Sequence, residues 1–385
     1  MRVLHIGAGN LYGGIETLLF TLARYQHLCP DMTPAFALCF DGRLKRELIG
    51  EGVAFHDLGE VRIRYPVSVW RARHRLQEIL SSCRFDAVLC HGTWSQVIFG
   101  STVRRMGAPL VFWGHNVADG RHWSERWARR IKPQLILCNS RCTERAWARL
   151  YPSVSTEVIY PPIAPSRPVG SGTREFVRRE FNTTPDAVVI VQVSRLEEGK
   201  GHRTLLNGLG LLRDVPDWTC WIVGGVQWAR EAPYLELLKI LAADLQISDR
   251  IRFVGQRSDV PRLLAAADVF CLSNSGPESF GIVFVEALYA GLPVVATAIG
   301  GAQEIIDSSC GRLVPPADAG ALRDSLAELI GCSRVRRRLG SRGPARARAL
   351  CDPQQQLLRM QTVLSSFGVS AGVHRGPEVA RTFTS

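Results

Sequence analysis

Residues 277–291 have the sequence PESFGIVFVEALYAG. Between Phe280 and Ala298 the only charged residue is Glu286, which predicts a buried helix that runs into a buried strand. A carboxylate in apolar surroundings is costly unless it is hydrogen-bonded or paired. Glu286 is therefore either neutralised by an arginine or a backbone N–H of the core, or it binds a polar ligand.

A second carboxylate, Glu278, lies eight residues before Glu286 and just before the expected helix start at Phe280. One carboxylate at the mouth of a helix and another two turns into it can face the same cleft. The start of this helix would also direct free N–H groups at an anion. Because both features point to a ligand, they favour a binding site over a structural role for Glu286.

The composition is that of an ordinary globular protein, and the length of 385 residues suggests two domains. The apolar window 280–298 contains Glu286 and a Gly-Leu-Pro break, so it does not predict a membrane span. The glycine-broken N-terminus is not typical of a signal peptide, and we therefore expect a cytoplasmic protein. The eleven dispersed cysteines have no zinc spacing and predict neither disulfides nor a structural metal.

The formal net charge of +12 is compatible with nucleic acid, a membrane surface or an anionic substrate as a partner. Seven arginines lie between residues 334 and 348, where there is no acid, but no nucleic-acid-binding motif accompanies them, so we expect no nucleic acid. In segment 121–149, seven arginines are interleaved with Trp123, Trp127 and Trp147. This segment either lies on anionic lipid or is a solvated helix with its tryptophans in the core.

The chain opens with a short apolar strand, a glycine-containing loop and a helix, which is the beginning of a doubly wound sheet. Tyr12 occupies the position of the third glycine in the dinucleotide-binding fingerprint, which disfavours an NAD-dependent dehydrogenase. Strands and helices then alternate along both halves. We expect strands at 3–6, 35–40, 53–56, 87–90, 110–113, 135–138, 188–193, 220–223, 251–254, 269–272 and 293–296. We expect helices at 15–26, 67–82, 95–106, 121–131, 141–150, 202–212, 231–245, 260–267, 280–290, 319–330 and 352–366.

This alternation predicts an α/β protein with two Rossmann-like, doubly wound parallel sheets that face a cleft. Four prolines between residues 161 and 168 mark a linker between the two units. We therefore expect an N-terminal domain at 1–165 and a C-terminal domain at 166–350. Residues 351–385 would form a helix that returns to the N-terminal domain, followed by a flexible tail.

Several strand-end loops carry residues suited to an anionic ligand. Arg195 and Lys200 flank a glycine-containing loop after strand 188–193, and Glu278 follows strand 269–272. In the first half, His115 and Asn116 follow strand 110–113. The carboxyl ends of parallel strands meet at one edge of a sheet. The loop with Arg195 and Lys200 is therefore either a site for an anion such as a diphosphate, or a solvated loop, since Glu197 and Glu198 lie between the two cations.

The sequence resembles the retaining glycosyltransferases of group 1, also called family 4, which have the GT-B fold. The most specific match is the pair Glu278 and Glu286, separated by seven residues. Supporting matches follow in the family's order: Gly13-Gly14-Ile15-Glu16, Ser194-Arg195-Leu196 with Lys200-Gly201, Phe253-Val254-Gly255, and Gly300-Gly301 with Glu304.

The resemblance implies a nucleotide-sugar donor that is bound mainly by the second domain. Arg195 and Lys200 would contact the donor diphosphate, Glu286 would accept hydrogen bonds from the ribose, and Glu278 would touch the transferred sugar. Gly14 would let the first domain approach the phosphate. The backbone of Phe280, Gly281, Ile282 and Val283 would meet phosphate and sugar, and Gln256 would lie near the base.

On the other side of the cleft, His115 matches the family's active-site histidine, so Glu278 and His115 are the catalytic candidates. Glu16 and Asn116 are the candidates on the acceptor side. We expect no metal and no cofactor, because there is no Asp-x-Asp near the cleft and cations with helix N–H groups can stabilise the leaving diphosphate.

The leading hypothesis is therefore a metal-independent enzyme that transfers a hexose-type sugar to a glycan or lipid-linked acceptor. Surface polysaccharide or glycolipid synthesis at the inner face of the membrane is the expected setting, with an anionic membrane surface as a further partner. The alternative is a nucleotide-sugar-binding or nucleic-acid-binding protein without transferase activity.

Overall fold

The computed structural model describes residues 1–10, 13–226 and 231–370, with side chains to residue 366. Tyr12 of the glycine-containing loop and the expected flexible tail from residue 371 lie outside the described residues. The first domain contains β1 (Arg2–Gly7), α1 (Gly14–Arg24), β2 (Thr33–Leu38), α2 (Arg43–Gly50), β3 (Phe55–Asp57), α3 (Pro66–Ser82), β4 (Ala87–His91), α4 (Gly92–Arg105), β5 (Leu110–Gly114), α5 (Trp123–Ala128), β6 (Leu135–Cys138), α6 (Arg141–Leu150) and β7 (Ser155–Val158).

The second domain begins after residues 159–172, which contain neither helix nor strand. It contains α7 (Thr173–Glu180), β8 (Val188–Val193), α8 (His202–Gly210), β9 (Trp218–Val223), α9 (Ala232–Asp244), β10 (Ile251–Gly255), α10 (Val260–Ala266), β11 (Val269–Leu272), α11 (Ile282–Tyr289), β12 (Val294–Thr297), α12 (Ala302–Ile305), β13 (Gly311–Val314), α13 (Ala319–Gly331) and α14 (Ser333–Cys351). The last helix is α15 (Pro353–Ser370).

Each domain is built on one parallel sheet, as the alternation of strands and helices predicts. Within the described residues, the strand order is β3-β2-β1-β4-β5-β6-β7 in the first sheet and β10-β9-β8-β11-β12-β13 in the second. The order reverses between β1 and β4 and between β8 and β11. Ligands of doubly wound sheets bind beyond the carboxyl ends of the strands at such switch points, so the fold directs attention to the loops that follow these four strands.

The predicted strands are all present, and their ends shift by at most two residues. Two further strands, β7 and β13, are not predicted from the sequence, and they lie at the edges of the two sheets. An edge strand is exposed along one side, and its sequence therefore lacks the continuous apolar run that marks a central strand. Helix α5 is shorter than the expected 121–131, and α11 begins at Ile282, two residues later than expected.

The end of the chain crosses back from the second domain to the first. Leu357, Met360 and Leu364 of α15 are buried in the apolar cluster that contains Val3 and Leu89 of the first sheet. Helix α14, which carries the seven clustered arginines, packs along α11. Its Arg336 and Arg346 donate hydrogen bonds to backbone carbonyls of neighbouring segments of the second domain.

Candidate functional site

A cleft of about 650 Å³ separates the two sheets and is lined by residues of both domains. Its walls come from the loops after β1, β4 and β5 on one side and after β8 and β11 on the other. The two sides approach each other closely, since a Cβ built on Gly14 would lie 3.6 Å from Cδ1 of Ile282. The glycine-containing loop of the first domain therefore meets the start of α11.

The second-domain wall holds a cation and a carboxylate in direct contact. Lys200 Nζ lies 2.6 Å from Glu278 Oε2, and Asn274 Nδ2 donates to the same oxygen at 3.2 Å. Arg195 also lines the cleft and pairs with Glu197 at 2.6 Å, but its side chain is more than half exposed. A ligand that enters the cleft therefore meets two cations, each of which is paired with a carboxylate.

Helix α11 begins inside this wall. Gly281 is its N-cap residue with φ +96°, and no side chain caps the helix. A Cβ on Gly281 would lie 2.5 Å from Cδ2 of Phe284, so any other residue there would be strained in its backbone and crowded by the ring. Since the first N–H groups of a helix have no partner within it, the N–H groups of Ile282 and Val283 can bind an anion in the cleft.

The segment before α11 is held from both domains. Gly301 N donates to Glu278 O at 2.8 Å, and a Cβ on Gly300, at φ +61°, would lie 2.2 Å from that oxygen. From the first domain, Ser140 Oγ donates to Ser279 O at 2.5 Å. Gly300 and Gly301 of the sequence motif thus allow a close backbone contact that fixes the position of Glu278.

Glu286 does not share this cavity. It lines a separate pocket of about 160 Å³ between α10, α11 and residues 166–169. Glu278 and Glu286 line separate cavities in this structure, because α11 starts only at Ile282. That both contact one donor molecule stays a prediction. Glu278 consequently belongs to a loop that turns towards Lys200, while Glu286 lies one helical turn beyond the cleft-lining residues Ile282 and Val283.

The carboxylate of Glu286 has no hydrogen bond and no ion pair with any other described residue. Burial raises the pKa of Glu286 above its ordinary value. The described contacts therefore do not support the alternative that a core arginine neutralises Glu286. A partly buried carboxylate without a partner is available to a ligand with hydroxyl donors.

Three histidines form a chain that leads from the core of the first domain to the cleft. His5 Nδ1 lies 2.9 Å from His91 Nε2, and His91 Nδ1 lies 3.0 Å from His115 Nε2. The rings of His91 and His115 also stack on Trp113. Burial lowers the pKa of His5 and of His115 to about 3. Burial also lowers the pKa of His91 well below its ordinary value, so all three rings are neutral at pH 7.

Each neutral imidazole has one donor nitrogen and one acceptor nitrogen, which restricts the nitrogens that can carry the protons in the three histidines. His5 Nε2 is buried and has no partner among the described residues. A buried N–H without a partner is rarer than an unpaired acceptor, so we assign the protons to the Nδ1 atoms. His91 then donates to His115 Nε2, and His115 keeps its Nδ1–H as a donor for the cleft.

The acceptor-side candidates line the cleft but also have structural bonds. Glu16 Oε2 accepts from Gly13 N at 3.1 Å, and burial raises the pKa of Glu16. Asn116 Nδ2 donates to Glu125 Oε1 at 2.9 Å, and Asn116 O accepts from Trp147 Nε1. Trp147 is therefore a fully buried core residue, which removes it from the segment expected on lipid.

Of the thirteen site residues predicted from the sequence, eleven line the cleft. The exceptions are Glu286 and Gln256. Gln256 is exposed and directly follows β10. Its neighbour Arg257 is engaged by Glu180 and Asp259 at 2.6 and 2.8 Å. The residues that line the cleft are Gly14, Glu16, His115, Asn116, Arg195, Lys200, Glu278, Phe280, Gly281, Ile282 and Val283.

The predicted site residues do not include His5, His91 or Asn139. His91 and Asn139 line the cleft, where His91 is the last residue of β4 and Asn139 directly follows β6. Their position at the carboxyl end of a strand was the signal that could have identified them. His5 lies inside β1, where a histidine in an apolar strand gives no sign that it bonds to a residue 86 positions away.

Glu304 joins the two domains at the edge of the cleft. Its carboxylate accepts from the backbone N–H groups of Arg141 and Cys142, at 2.9 and 3.0 Å, at the start of α6. Tyr160 OH donates to it at 3.0 Å. The glutamate that ends the Gly300-Gly301 motif therefore bonds to the N-terminus of a first-domain helix, where a negative charge is favourable.

Comparisons with known proteins agree with this architecture. A family model described as "Glycosyl transferases group 1" matches residues 173–346, and one described as "Glycosyltransferase Family 4" matches residues 12–167. The crystal structure of Anabaena Alr3699/HepE in complex with UDP-glucose has a TM-score of 0.81 and 23% identity, and the match covers 95% of this chain and all of that one.

Two proteins with similar sequences are both named as mannosyltransferases. A GDP-mannose-dependent alpha-(1-6)-phosphatidylinositol monomannoside mannosyltransferase of Mycolicibacterium smegmatis is 29% identical over 286 residues, which are 70% of this chain and 73% of the relative. A GDP-mannose-dependent monoacylated alpha-(1-6)-phosphatidylinositol monomannoside mannosyltransferase of Corynebacterium glutamicum is 27% identical over 326 residues, which are 79% of this chain and 84% of the relative.

Two facing Rossmann-like domains with a cleft between them define the GT-B fold. The two family models match nearly the whole of both domains, and this chain belongs to the group 1 glycosyltransferases. The predictions of the family, the fold and the enzyme class are confirmed. These findings also decide against the alternative of a binding protein without transferase activity.

Proposed function

We propose that the protein transfers a hexose-type sugar from a nucleoside-diphosphate sugar to a glycan or a lipid-linked acceptor. Surface polysaccharide or glycolipid synthesis is the setting that the names of the relatives support, since two of them are mannosyltransferases of phosphatidylinositol mannosides. A structural neighbour that binds UDP-glucose supports a nucleotide-sugar donor.

The observation that carries the proposal is the Lys200–Glu278 pair beside the uncapped start of α11. In the proposed complex, Lys200, Arg195 and the first N–H groups of α11 bind the donor diphosphate. When the bond to the sugar breaks, negative charge develops on the leaving diphosphate, and these groups stabilise it. Because side chains and backbone supply this stabilisation, we propose that the reaction needs neither a metal nor a cofactor.

The remaining site residues have proposed roles around the sugar. Glu278 and the Nδ1–H of His115 contact the transferred sugar from opposite domains, and Glu286 accepts hydrogen bonds from the ribose. Gln256 lies near the base, and Gly14 with residues 280–283 borders the phosphate and the sugar. Glu16 and Asn116 lie on the acceptor side. Retention of configuration is proposed from the family resemblance.

We also propose that the enzyme works at the inner, anionic face of a membrane. Trp123 and Trp127 are exposed on α5, next to Arg126 and Arg130. Aromatic and arginine side chains together suit an anionic lipid surface. Within the described residues, no helix is long and apolar enough to cross a membrane.

A thermal-shift titration with GDP-mannose and UDP-glucose tests the donor site. The unmodified protein should be stabilised by at least one of them, because a ligand that binds only the folded state raises the melting temperature. Lys200→Met should weaken that binding about tenfold or more. The control is Arg203→Met, which removes an exposed cation outside the cleft. No stabilisation of the unmodified protein by any nucleotide sugar would overturn the proposal.

A further inference from the structure

A groove of about 700 Å³ crosses the outer face of the first domain between α3, α4 and α5. It is separate from the cleft, and it shares only Trp127 and Arg130 with the membrane surface proposed above. Its walls are mainly aliphatic and aromatic. They are formed by Ile63, Pro66, Val69, Trp70, Arg73, His74, Gln77, Val97, Ile98, Ser101, Thr102, Arg105, Trp127, Arg130 and Ile131.

The groove exposes three large apolar side chains. Trp70 is 65% exposed, Trp127 is 55% exposed and Ile63 is 42% exposed. Large exposed apolar patches on folded domains mark binding sites. Tryptophan in particular suits a ligand with an apolar body and a polar end, because its ring is apolar while its N–H is a donor.

The charges of the groove are uniformly basic. Arg73, Arg105 and Arg130 line it, and no acidic residue does. His74 is paired with Glu78, which lies outside the wall, at 3.3 Å. Arg105 and Arg130 form no ion pair with any described residue. The guanidinium group binds phosphate with two parallel hydrogen bonds, so the groove matches an anion attached to an aliphatic chain.

The groove also lies in line with the acceptor side of the cleft. Helix α4 begins at Gly92, which lines the cleft, and its Ser101 lines the groove about 14 Å further along the helix axis. Helix α5 is tied to the same cleft wall, because Thr93 Oγ1 lies 2.8 Å from Ser124 Oγ. One molecule could therefore place its polar end in the cleft and its chain in the groove.

We propose that this groove binds the aliphatic chain and the phosphate of a single lipid acceptor. The inference rests on the proposed function, in which the acceptor is lipid-linked. The apolar wall between Trp70 and Trp127 contacts the chain, and Arg105 and Arg130 bind the phosphate. Each buried methylene adds to the affinity, so the protein binds this acceptor more tightly than the free polar part of the same molecule.

Isothermal titration calorimetry with monomeric decyl phosphate tests the groove in the full-length protein. We expect decyl phosphate to bind at least about tenfold more tightly than inorganic phosphate or decyl maltoside, which each lack one half of the ligand. Trp127→Ala and Arg105→Gln should each weaken binding about fivefold or more. The matched controls are Phe176→Ala, an aromatic side chain of the second domain that is 55% exposed like Trp127, and Arg104→Gln beside Arg105, since neither residue lines the groove.

The outcomes separate this inference from the proposed function, because GDP-mannose and UDP-glucose binding is measured on the same samples. Absence of decyl phosphate binding with intact nucleotide-sugar binding overturns the groove and leaves the transferase proposal standing. If the groove variants and the control variants weaken decyl phosphate binding equally, the ligand adsorbs to the protein surface without a specific site. That result also overturns the groove proposal. Decyl phosphate binding that Trp127→Ala and Arg105→Gln alone weaken supports the groove, even if no nucleotide sugar binds.

Discussion

At the scale of single residues, the three buried histidines make the free energy of unfolding depend on pH. Because burial lowers the pKa of His5 from 6.5 to about 3, the unfolded chain binds a proton in this range that the folded protein does not. The stabilising contribution is complete above pH 6.5 and is lost as the pH falls towards 3. Each such histidine therefore lowers the free energy of unfolding by about 1.4 kcal/mol for every unit by which the pH falls between pH 6 and pH 4.

His5→Phe should remove one of these contributions, since the new ring can keep the stacking on Phe36. We expect the slope of unfolding free energy against pH to fall by about 1.4 kcal/mol per pH unit between pH 4 and 6. Urea denaturation at several pH values measures it. The same substitution at the exposed His27 is the matched control. If the slope of unfolding free energy against pH is unchanged in His5→Phe, His5 is not buried as a neutral ring.

Glu286 is a residue whose burial costs stability. Its raised pKa means that its stabilising contribution is present at low pH and is lost as the pH rises through the folded-state pKa. Glu286→Gln should therefore raise the melting temperature of the ligand-free protein at pH 7, by about 2 °C or more, and should abolish stabilisation by the nucleotide sugar. Differential scanning fluorimetry measures both effects, with the exposed Glu236→Gln as control. A lower melting temperature would show that the carboxylate has a structural partner.

At the scale of secondary-structure elements, the start of α11 depends on a glycine. Gly281→Ala requires a left-handed alanine whose Cβ would meet the ring of Phe284. We expect a loss of about 1–3 kcal/mol in unfolding free energy and a higher KM for the donor. Gly276→Ala in the same loop is the control, because its Cβ would meet nothing within 4 Å. Equal urea midpoints for the two variants would argue against this role of Gly281.

At the scale of the whole molecule, Glu304 holds the two domains together around the cleft. Glu304→Gln removes the negative charge from the N-terminus of α6 and leaves one acceptor oxygen for three donors. We expect the domains to separate more often, which small-angle scattering would detect as a larger radius of gyration without ligand.

The control for this prediction is Glu328→Gln, which removes a carboxylate that pairs with Arg312 inside the second domain, at 3.0 Å. This variant should keep the scattering profile of the unmodified protein. If Glu304→Gln keeps that profile as well, other contacts hold the cleft in this geometry.

The two doubly wound sheets and most of the cleft could be predicted from local patterns in the chain. Central strands of parallel sheets are buried on both faces, so their apolar runs are visible in the sequence, and the loops that follow them carry Arg195, Lys200, Glu278 and His115. The topology then brings such loops to one edge of each sheet. These features are local in the chain, which is why they could be predicted.

The bonds between side chains, in contrast, depend on how the elements pack. The chain from His5 to His115, the contact of Glu304 with α6 and the separation of Glu286 from Glu278 each join or divide residues according to how elements pack. Packing likewise put Trp147 in the core and left Trp127 on the groove, although both stand among arginines in the sequence. Such contacts depend on distances between segments remote in sequence, and neither composition nor periodicity records those distances.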